Sequence, residues 1–336
     1  MIQEAIAKLV ERENLSVEES TATMSEIMGG EATPAQISAF LIALRMKGET
    51  VEEIAGCARV MRERATRIDP GEGVVVDTCG TGGDVKGTFN ISTATALVVA
   101  GAGVKVAKHG NRSFTGKTGS ADLLESLGVN IEADVVVVER CLQEVGIGFL
   151  YAPLLHGAMK HAVGPRREIA VRTVFNILGP LSNPAGADRQ MIGVFDADLT
   201  ERMARVLKEL GSTHCFVVHG DDGMDEVTLC ACTQVSELVD GEVKTYHIGP
   251  EDLGLARAEL SDFVVDSPEA SSKIVQSVLF GEQGPARDIV LANAAVVLRS
   301  ADKAEDWPVA VGLAAESIDS GRAQDTLDKL VTTSNS

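Results

Sequence analysis

The chain has no run of about eighteen uninterrupted apolar residues, which excludes a hydrophobic membrane-spanning helix. Its N-terminus, MIQEAIAKL, carries a glutamate early and lacks the basic start and apolar core of a signal peptide. Positive charge is scarce. Lys and Arg number 30 against 49 Asp and Glu, a net charge of −19, which speaks against binding to nucleic acid or an anionic membrane. A local cluster of cations could still receive an anionic small molecule. Cysteines number 6, at 57, 79, 141, 215, 230 and 232, without framework spacing in a 336-residue chain that needs no staples. Reduced thiols in the cytoplasm are the expectation. Cys230 and Cys232, in VTLCACT, read as small apolar residues of a strand. His156 and His161 lie off metal-ligand spacing, and His214, His219 and His247 flank apparent strands as structural residues. There is no internal repeat, no low-complexity linker, no Walker loop and no G-x-G-x-x-G.

What is present falls into two rhythms. Residues 1–68 read as helices, with capping boxes at SVEE (16–19), TPAQ (33–36) and TVEE (50–53) and stops at Gly29-Gly30 and Gly48. PAQISAFLIALRMKG is apolar around most of its circumference, so it needs cover on several sides, in a small domain or at a subunit interface. From residue 73 short apolar runs alternate with helical stretches: VVVD, VKVA, IGFLYAP, MIGVF and HCFVVHG. The pattern predicts an α/β domain over 73–336 whose mostly parallel sheet is flanked by helices. EVTLCACT and VKTYHI are expected to form an antiparallel edge pair, and DVVVVERC, capped by Asp134, to be helical.

Three polar loops fall where strands should end, the place where open α/β sheets bind ligands. DTCGTGGDVKGTFNIST (77–93) offers free backbone N–H groups, a helix start near Asn90 and the side chains of Asn90, Ser92 and Thr93. It could equally be a structural turn. AKHGNRSFTGKTGS places Lys108, His109, Arg112 and Lys117 together in an acidic protein, as an anion site or a solvated basic loop. HGDDGMDEVTL clusters Asp221, Asp222, Asp225 and Glu226, hard ligands suited to Mg²⁺ or simply an acidic turn. Together they describe a pyrophosphate–Mg²⁺ site. In GPRREIAVRTVFNILGPLSNPAG, Arg166 and Arg167 precede an apolar helix, and either a bidentate carboxylate contact or a salt bridge would suit them.

GTGGD (80–84), TFNIST (88–93), KHGNR (108–112), GSAD-LL-LG (119–128), RTVFNILGPLSNP (172–184) and MDE (224–226) resemble, in order and over nearly the whole chain, the anthranilate phosphoribosyltransferase family of tryptophan biosynthesis. The resemblance implies a helical N-terminal domain over 1–68, joined by part of 165–185 and used for homodimerisation, beside the α/β domain of the nucleoside phosphorylase/phosphoribosyltransferase type. It implies 5-phosphoribosyl 1-diphosphate and anthranilate as substrates, with two Mg²⁺ ions per site. Gly80, Gly83, Asp84, Thr88, Asn90, Ile91, Ser92 and Thr93 would hold the phosphoribosyl diphosphate. Lys108, His109, Gly110, Asn111, Arg112, Ser113, Phe114, Thr115, Gly116 and Ser120 would wrap its phosphates. Ser92, Asp225 and Glu226 would hold metal, and Gly80, Asn111 and Arg166 would meet anthranilate, with Arg166 at its carboxylate. An association with anthranilate synthase stays open. SFTGKT (113–118) departs from the family's usual A-V-S-S-K-S, which bears on individual phosphate contacts.

No catalytic residue in the proton-transfer sense is expected. The amine of anthranilate is unprotonated at neutral pH, so catalysis would consist of positioning and charge stabilisation as C1 gains oxocarbenium character. A pyrimidine-nucleoside phosphorylase would share the architecture without needing the Asp225–Glu226 pair. A nucleic-acid-binding relative would need the basic surface that this chain lacks.

Overall fold

Each of the three capping boxes starts a helix. The structure, a computed structural model, describes residues 1–84, 86–112 and 119–336. After α1 (Ile2–Val10) come α2 (Val17–Gly29), α3 (Pro34–Lys47) and α4 (Val51–Arg64). Ser16, Thr33 and Thr50 each accept a bond from the N–H three residues on, and Glu19, Gln36 and Glu53 return one to the cap. Glu53 is fully buried, where it also binds Lys47 Nζ at 2.9 Å and the Leu15 N–H at 2.9 Å. The apolar α3 buries Ile37, Phe40, Leu41 and Leu44 and leaves Met46 exposed.

The rest of the chain builds a seven-stranded sheet. In chain order come β1 (Val75–Asp77), α5 (Ile91–Gly101), β2 (Lys105–Gly110), α6 (Ser120–Ser126), α7 (Val135–Arg140), β3 (Ile147–Tyr151), α8 (Ala152–Leu155), α9 (Lys160–Ile169), α10 (Phe175–Leu178), β4 (Arg189–Gly193), α11 (Asp198–Glu209) and β5 (His214–Gly220). A hairpin of β6 (Thr233–Val239) and β7 (Glu242–Ile248) follows, then α12 (Pro268–Leu279), α13 (Pro285–Ser300), α14 (Trp307–Asp319) and α15 (Arg322–Ser334). The strand order is β3-β2-β1-β4-β5-β6-β7, parallel through β5 and antiparallel beyond. This is the expected helical bundle beside a mostly parallel α/β sheet. The apolar α5 and α13 fill one face, and α9, α10 and α11 share a core with α2–α4 on the other. Asp134 caps α7, so DVVVVERC is helical as expected.

The edge pair differs from expectation. EVTLCACT is irregular, and the hairpin begins only at Thr233. Asn293 of α13 takes the place of a strand neighbour: its amide accepts from Val227 N at 2.9 Å and donates to Val227 O at 3.0 Å. Val227, Thr228 and Leu229 are buried in succession in this irregular stretch. Cys230 and Cys232 therefore lie half-buried in a loop, as free thiols. Arg166 and Arg167 also sit inside α9 and not ahead of an apolar helix, which shrinks to the single turn of α10 because Ala170 ends α9 in a left-handed conformation.

Candidate active site

From β1 the chain crosses to β2 on one side and later returns to β4 on the other, so the switch point of the sheet lies between β1 and β4. The loops after β1, β2 and β5 meet beyond this point. Close backbone approach makes the meeting feasible. A Cβ on Gly80 would stand 3.0 Å from the Gly193 carbonyl oxygen, which also accepts from Thr81 N at 2.8 Å. A Cβ on Gly193 would overlap the Asp225 carbonyl oxygen, so a side chain there would push the acidic loop away.

The glycine loop is rich in unused donors. Among the described residues no acceptor faces the N–H groups of Gly80, Gly83 or Asp84. Asn90 caps α5 by accepting from Thr93 N at 3.0 Å, and its own N–H is held by Ser271 Oγ at 3.0 Å. Thr88 is fixed by an antiparallel bridge to Val264. Ile91 and Thr93 are buried, and Thr93 Oγ1 has no hydrogen-bond partner among the described residues. Ser92 Oγ lies 3.3 Å from Lys108 Nζ, which also reaches Thr78 Oγ1 at 3.1 Å. Lys108 is 2 % exposed. Burial pulls its pKa down, and the charges of Asp77 and Glu226 counter this.

The basic loop is less cationic than its composition. His109 Nδ1 faces the Gly179 carbonyl at 3.1 Å, so that nitrogen carries the proton, and Nε2 meets His156 Nε2 at 3.1 Å. Burial, reinforced by the neighbouring His156, lowers the His109 pKa to about 3, and burial lowers that of His156 to about 4. His109 is buried and neutral, not the cation that its sequence position suggests. Asp77 anchors it, accepting from His109 N at 3.1 Å and from Asn183 Nδ2 at 2.8 Å. Arg112 is already paired in the ligand-free fold. Its guanidinium is gripped by Asp122 at 3.0 Å and by both oxygens of Glu125 at 2.8 and 3.0 Å. Asn111 and Ser120 stay together at the mouth, Ser120 Oγ donating to Asn111 O at 3.3 Å. A Cβ on Gly110 would overlap Ser120 Oγ. Ser113, Phe114, Thr115 and Gly116 lie outside the described residues.

Close to this loop Asp84, Asp225 and Glu226 bring three carboxyls within one another's influence. Burial and then the charge of Asp84 push the Asp225 carboxyl up; burial and then Asp225 raise Glu226 well above the carboxylate range, with Lys108 and the Ser92 N–H pulling it back. Asp84 Oδ2 is buried without a partner. Like-charged, half-buried oxygens with an orphaned acceptor fit a hard divalent cation. Among the described residues the one set of three with donor atoms within 4.8 Å of one another is Asp77, Cys79 and His109. Its hydrogen bonds are already satisfied within the fold, so that set is a network rather than an ion site. Across the cleft Arg166 is half-buried with its Cζ 5.0 Å from the Phe175 ring centre, and among the described residues it has no carboxylate partner.

No role was assigned from the sequence to Thr78, Asp77, Asn183 or Gly193. Asp77 alone left a signal, as a charged residue closing an otherwise apolar strand.

Two family models cover the chain: the helical bundle domain of a glycosyl transferase family matches residues 3–65, and the a/b domain of the same family matches 72–324. An anthranilate phosphoribosyltransferase from Geotalea uraniireducens is 54% identical, covering 100% of both chains. One from Acetivibrio thermocellus is 53% identical over 100% of this chain and 97% of its own. The solved anthranilate phosphoribosyltransferase from Thermus thermophilus superposes with a TM-score of 0.94 at 41% identity, covering 99% of each chain. The Saccharomyces cerevisiae enzyme in complex with PRPP and Mg does so at 0.91 and 29% identity, over 99% and 98%.

Proposed function

The chain belongs to the anthranilate phosphoribosyltransferase family, and we propose that the cleft at its switch point holds 5-phosphoribosyl 1-diphosphate and Mg²⁺ against anthranilate. The reaction transfers the 5-phosphoribosyl group to the amine of anthranilate, a step of tryptophan biosynthesis. One observation carries the assignment of the cleft: the N–H groups of Gly80, Gly83 and Asp84 have no acceptor among the described residues, next to half-buried Asp84, Asp225 and Glu226, whose crowded like charges are only partly offset by Lys108.

In this reading the glycine loop and the start of α5 receive the diphosphate, and Lys108 sets one positive charge beneath it. Asp225 and Glu226, with Asp84 beside them, would hold magnesium, which when bound neutralises the leaving diphosphate. Magnesium is present in the yeast complex, and its use here rests on this chain's own oxygens. Arg166 takes the carboxylate of anthranilate, and Asn111 sits where acceptor and donor meet. The aryl amine needs no base, so none is assigned. Catalysis is approach and electrostatics, in a cleft whose backbone donors are already in place.

The helical residues 1–68, with part of 165–185, form the dimerisation domain beside the α/β domain of 73–336. The exposed Met1, Val10 and Met46 support this, as apolar residues on helices otherwise packed within the bundle. A cytoplasmic location accords with six free thiols and with no described helix long and apolar enough to cross a membrane.

The test is the loss of anthranilate fluorescence on mixing with phosphoribosyl diphosphate and Mg²⁺. No consumption by folded protein at micromolar concentration rejects the function.

A further inference from the structure

Arg172 has no role so far, yet its side chain is tied directly to the glycine loop. It lies in the irregular stretch between α9 and α10, two residues past the left-handed Ala170. Its guanidinium covers the ring of Phe195, with Cζ 4.2 Å from the centroid, and its Nη2 donates to the Gly83 carbonyl. It has no carboxylate partner among the described residues. Phe195 in turn lies two residues past the end of β4, so a stacked platform from one loop of the cleft supports a donor that reaches another.

The backbone at this spot needs such a support. Gly82 and Gly83 have φ of 61° and 89°, and glycine pairs of this kind rotate between alternatives at little cost. A bond to the Gly83 carbonyl fixes the plane of the peptide joining Gly83 to Asp84. In a trans peptide C=O and N–H point opposite ways, so the same bond also fixes the direction of the unpartnered Asp84 N–H. Only a planar fork can stack on a ring and donate in its own plane at once; an ammonium cannot do both.

We propose that Arg172 is a positioning residue that holds the diphosphate-binding loop in its receiving conformation through the Gly83 carbonyl, with Phe195 as its platform. The proposal rests on the glycine loop being the donor site. Three variants test it: Arg172→Gln, Arg172→Lys and Phe195→Leu. Each is examined by calorimetric titration with phosphoribosyl diphosphate and Mg²⁺, by steady-state kinetics and by hydrogen exchange of the 79–84 amides in the ligand-free protein. Arg172→Gln is expected to weaken donor binding and raise the donor KM about tenfold, the loss of one charge-assisted hydrogen bond. The anthranilate KM at saturating donor should stay within about twofold. Exchange at 79–84 should be faster before any ligand is added. Arg172→Lys recovers only part of the affinity, and Phe195→Leu moves all three readouts the same way by less.

A parent protein that does not bind the donor would overturn the reading of the site beneath the proposal. A parent that binds while Arg172→Gln binds equally well overturns the positioning role alone. Weakened binding with unchanged amide exchange would make Arg172 a direct ligand contact and also overturn it. So would equal rises in both KM values with a lowered melting midpoint, since that is general loss of structure. If Arg172→Gln does not fold, the same readouts on Phe195→Leu decide.

Discussion

The two ends of the parallel sheet treat charge in opposite ways. At the amino ends of β4 and β5 every buried ionisable group is answered. His214 lies between Glu237 at 3.2 Å and Asp302 at 3.0 Å, Arg189 meets Asp302 at 2.6 Å, and Tyr246 donates to Glu237 at 2.7 Å. Arg299 approaches Glu237 at 3.6 Å with its Cζ 3.9 Å from the centre of the Trp307 ring. Burial works against the charge of Glu237, but the bonds from His214 and Tyr246 and the nearby Arg299 outweigh it and hold its carboxyl below the ordinary range. At the carboxyl ends the site groups lack ion pairs among the described residues. Lys108 hydrogen-bonds only hydroxyls, Asp225 and Glu226 crowd like charge that Lys108 offsets only in part, and Arg166 has a ring and no carboxylate. Paired charge at one end stabilises the fold, whereas unpaired charge at the other costs stability and implies a ligand that supplies the missing partner.

The contrast breaks first at the carboxylates. Asp225→Asn combined with Glu226→Gln should lower Mg²⁺-dependent kcat/KM by on the order of 10³-fold or more, several kcal/mol of lost charge stabilisation. The melting midpoint without magnesium should equal or exceed the parent's, because two crowded like charges are gone. Retained turnover removes both residues from the metal site, and a large drop in midpoint would make them structural.

At the opposite end the same kind of change should act in reverse. Glu237→Ala leaves His214 and Arg299 without their shared carboxylate and should cost about 3 kcal/mol of unfolding free energy, read from urea denaturation. Its kcat/KM should remain within about twofold of the parent's. A stable but inactive variant would show that the two ends are coupled, and the division drawn above would fail.

Arg166→Ala comes next in size. Losing a charge-assisted, bidentate contact of about 1.5–3 kcal/mol raises the anthranilate KM by roughly 10- to 100-fold. The KM for phosphoribosyl diphosphate should change far less. Equal effects on both would reject its role at the acceptor carboxylate.

How much of this was legible in the sequence follows from how local each determinant is. Capping boxes at Ser16, Thr33 and Thr50 join residues three apart, and each formed as read. The glycine loop and the acidic loop were found because glycines and carboxylates cluster along the chain. What escaped depends on distant partners. Asn293 replaces a strand for Val227 from 66 residues away, and Arg172 reaches Gly83 across 89. Gly193 matters only because the Asp225 backbone crosses it, and no pattern around position 193 announces that crossing. Charge was misread for the same reason. Composition counts His109 and Arg112 as cations near the phosphates, but burial neutralises the first and Asp122 and Glu125 claim the second.

Arg112 therefore supplies the finest test of the contrast, because it stands at the carboxyl ends yet is paired. Its guanidinium is exposed, and two carboxylates of α6 hold it in the geometry of a surface ion pair. Such pairs are screened by solvent and contribute little. If pairing, rather than position, distinguishes structural from functional charge, Arg112→Ala should leave the melting midpoint close to the parent's. The donor KM should rise no more than about threefold, as befits an exposed and already satisfied cation. The same assay that registers Arg166→Ala measures it. A rise comparable to that of Arg166→Ala would mean that Arg112 leaves Asp122 and Glu125 when the donor arrives, and that proximity to the switch point outweighs pairing in the ligand-free fold.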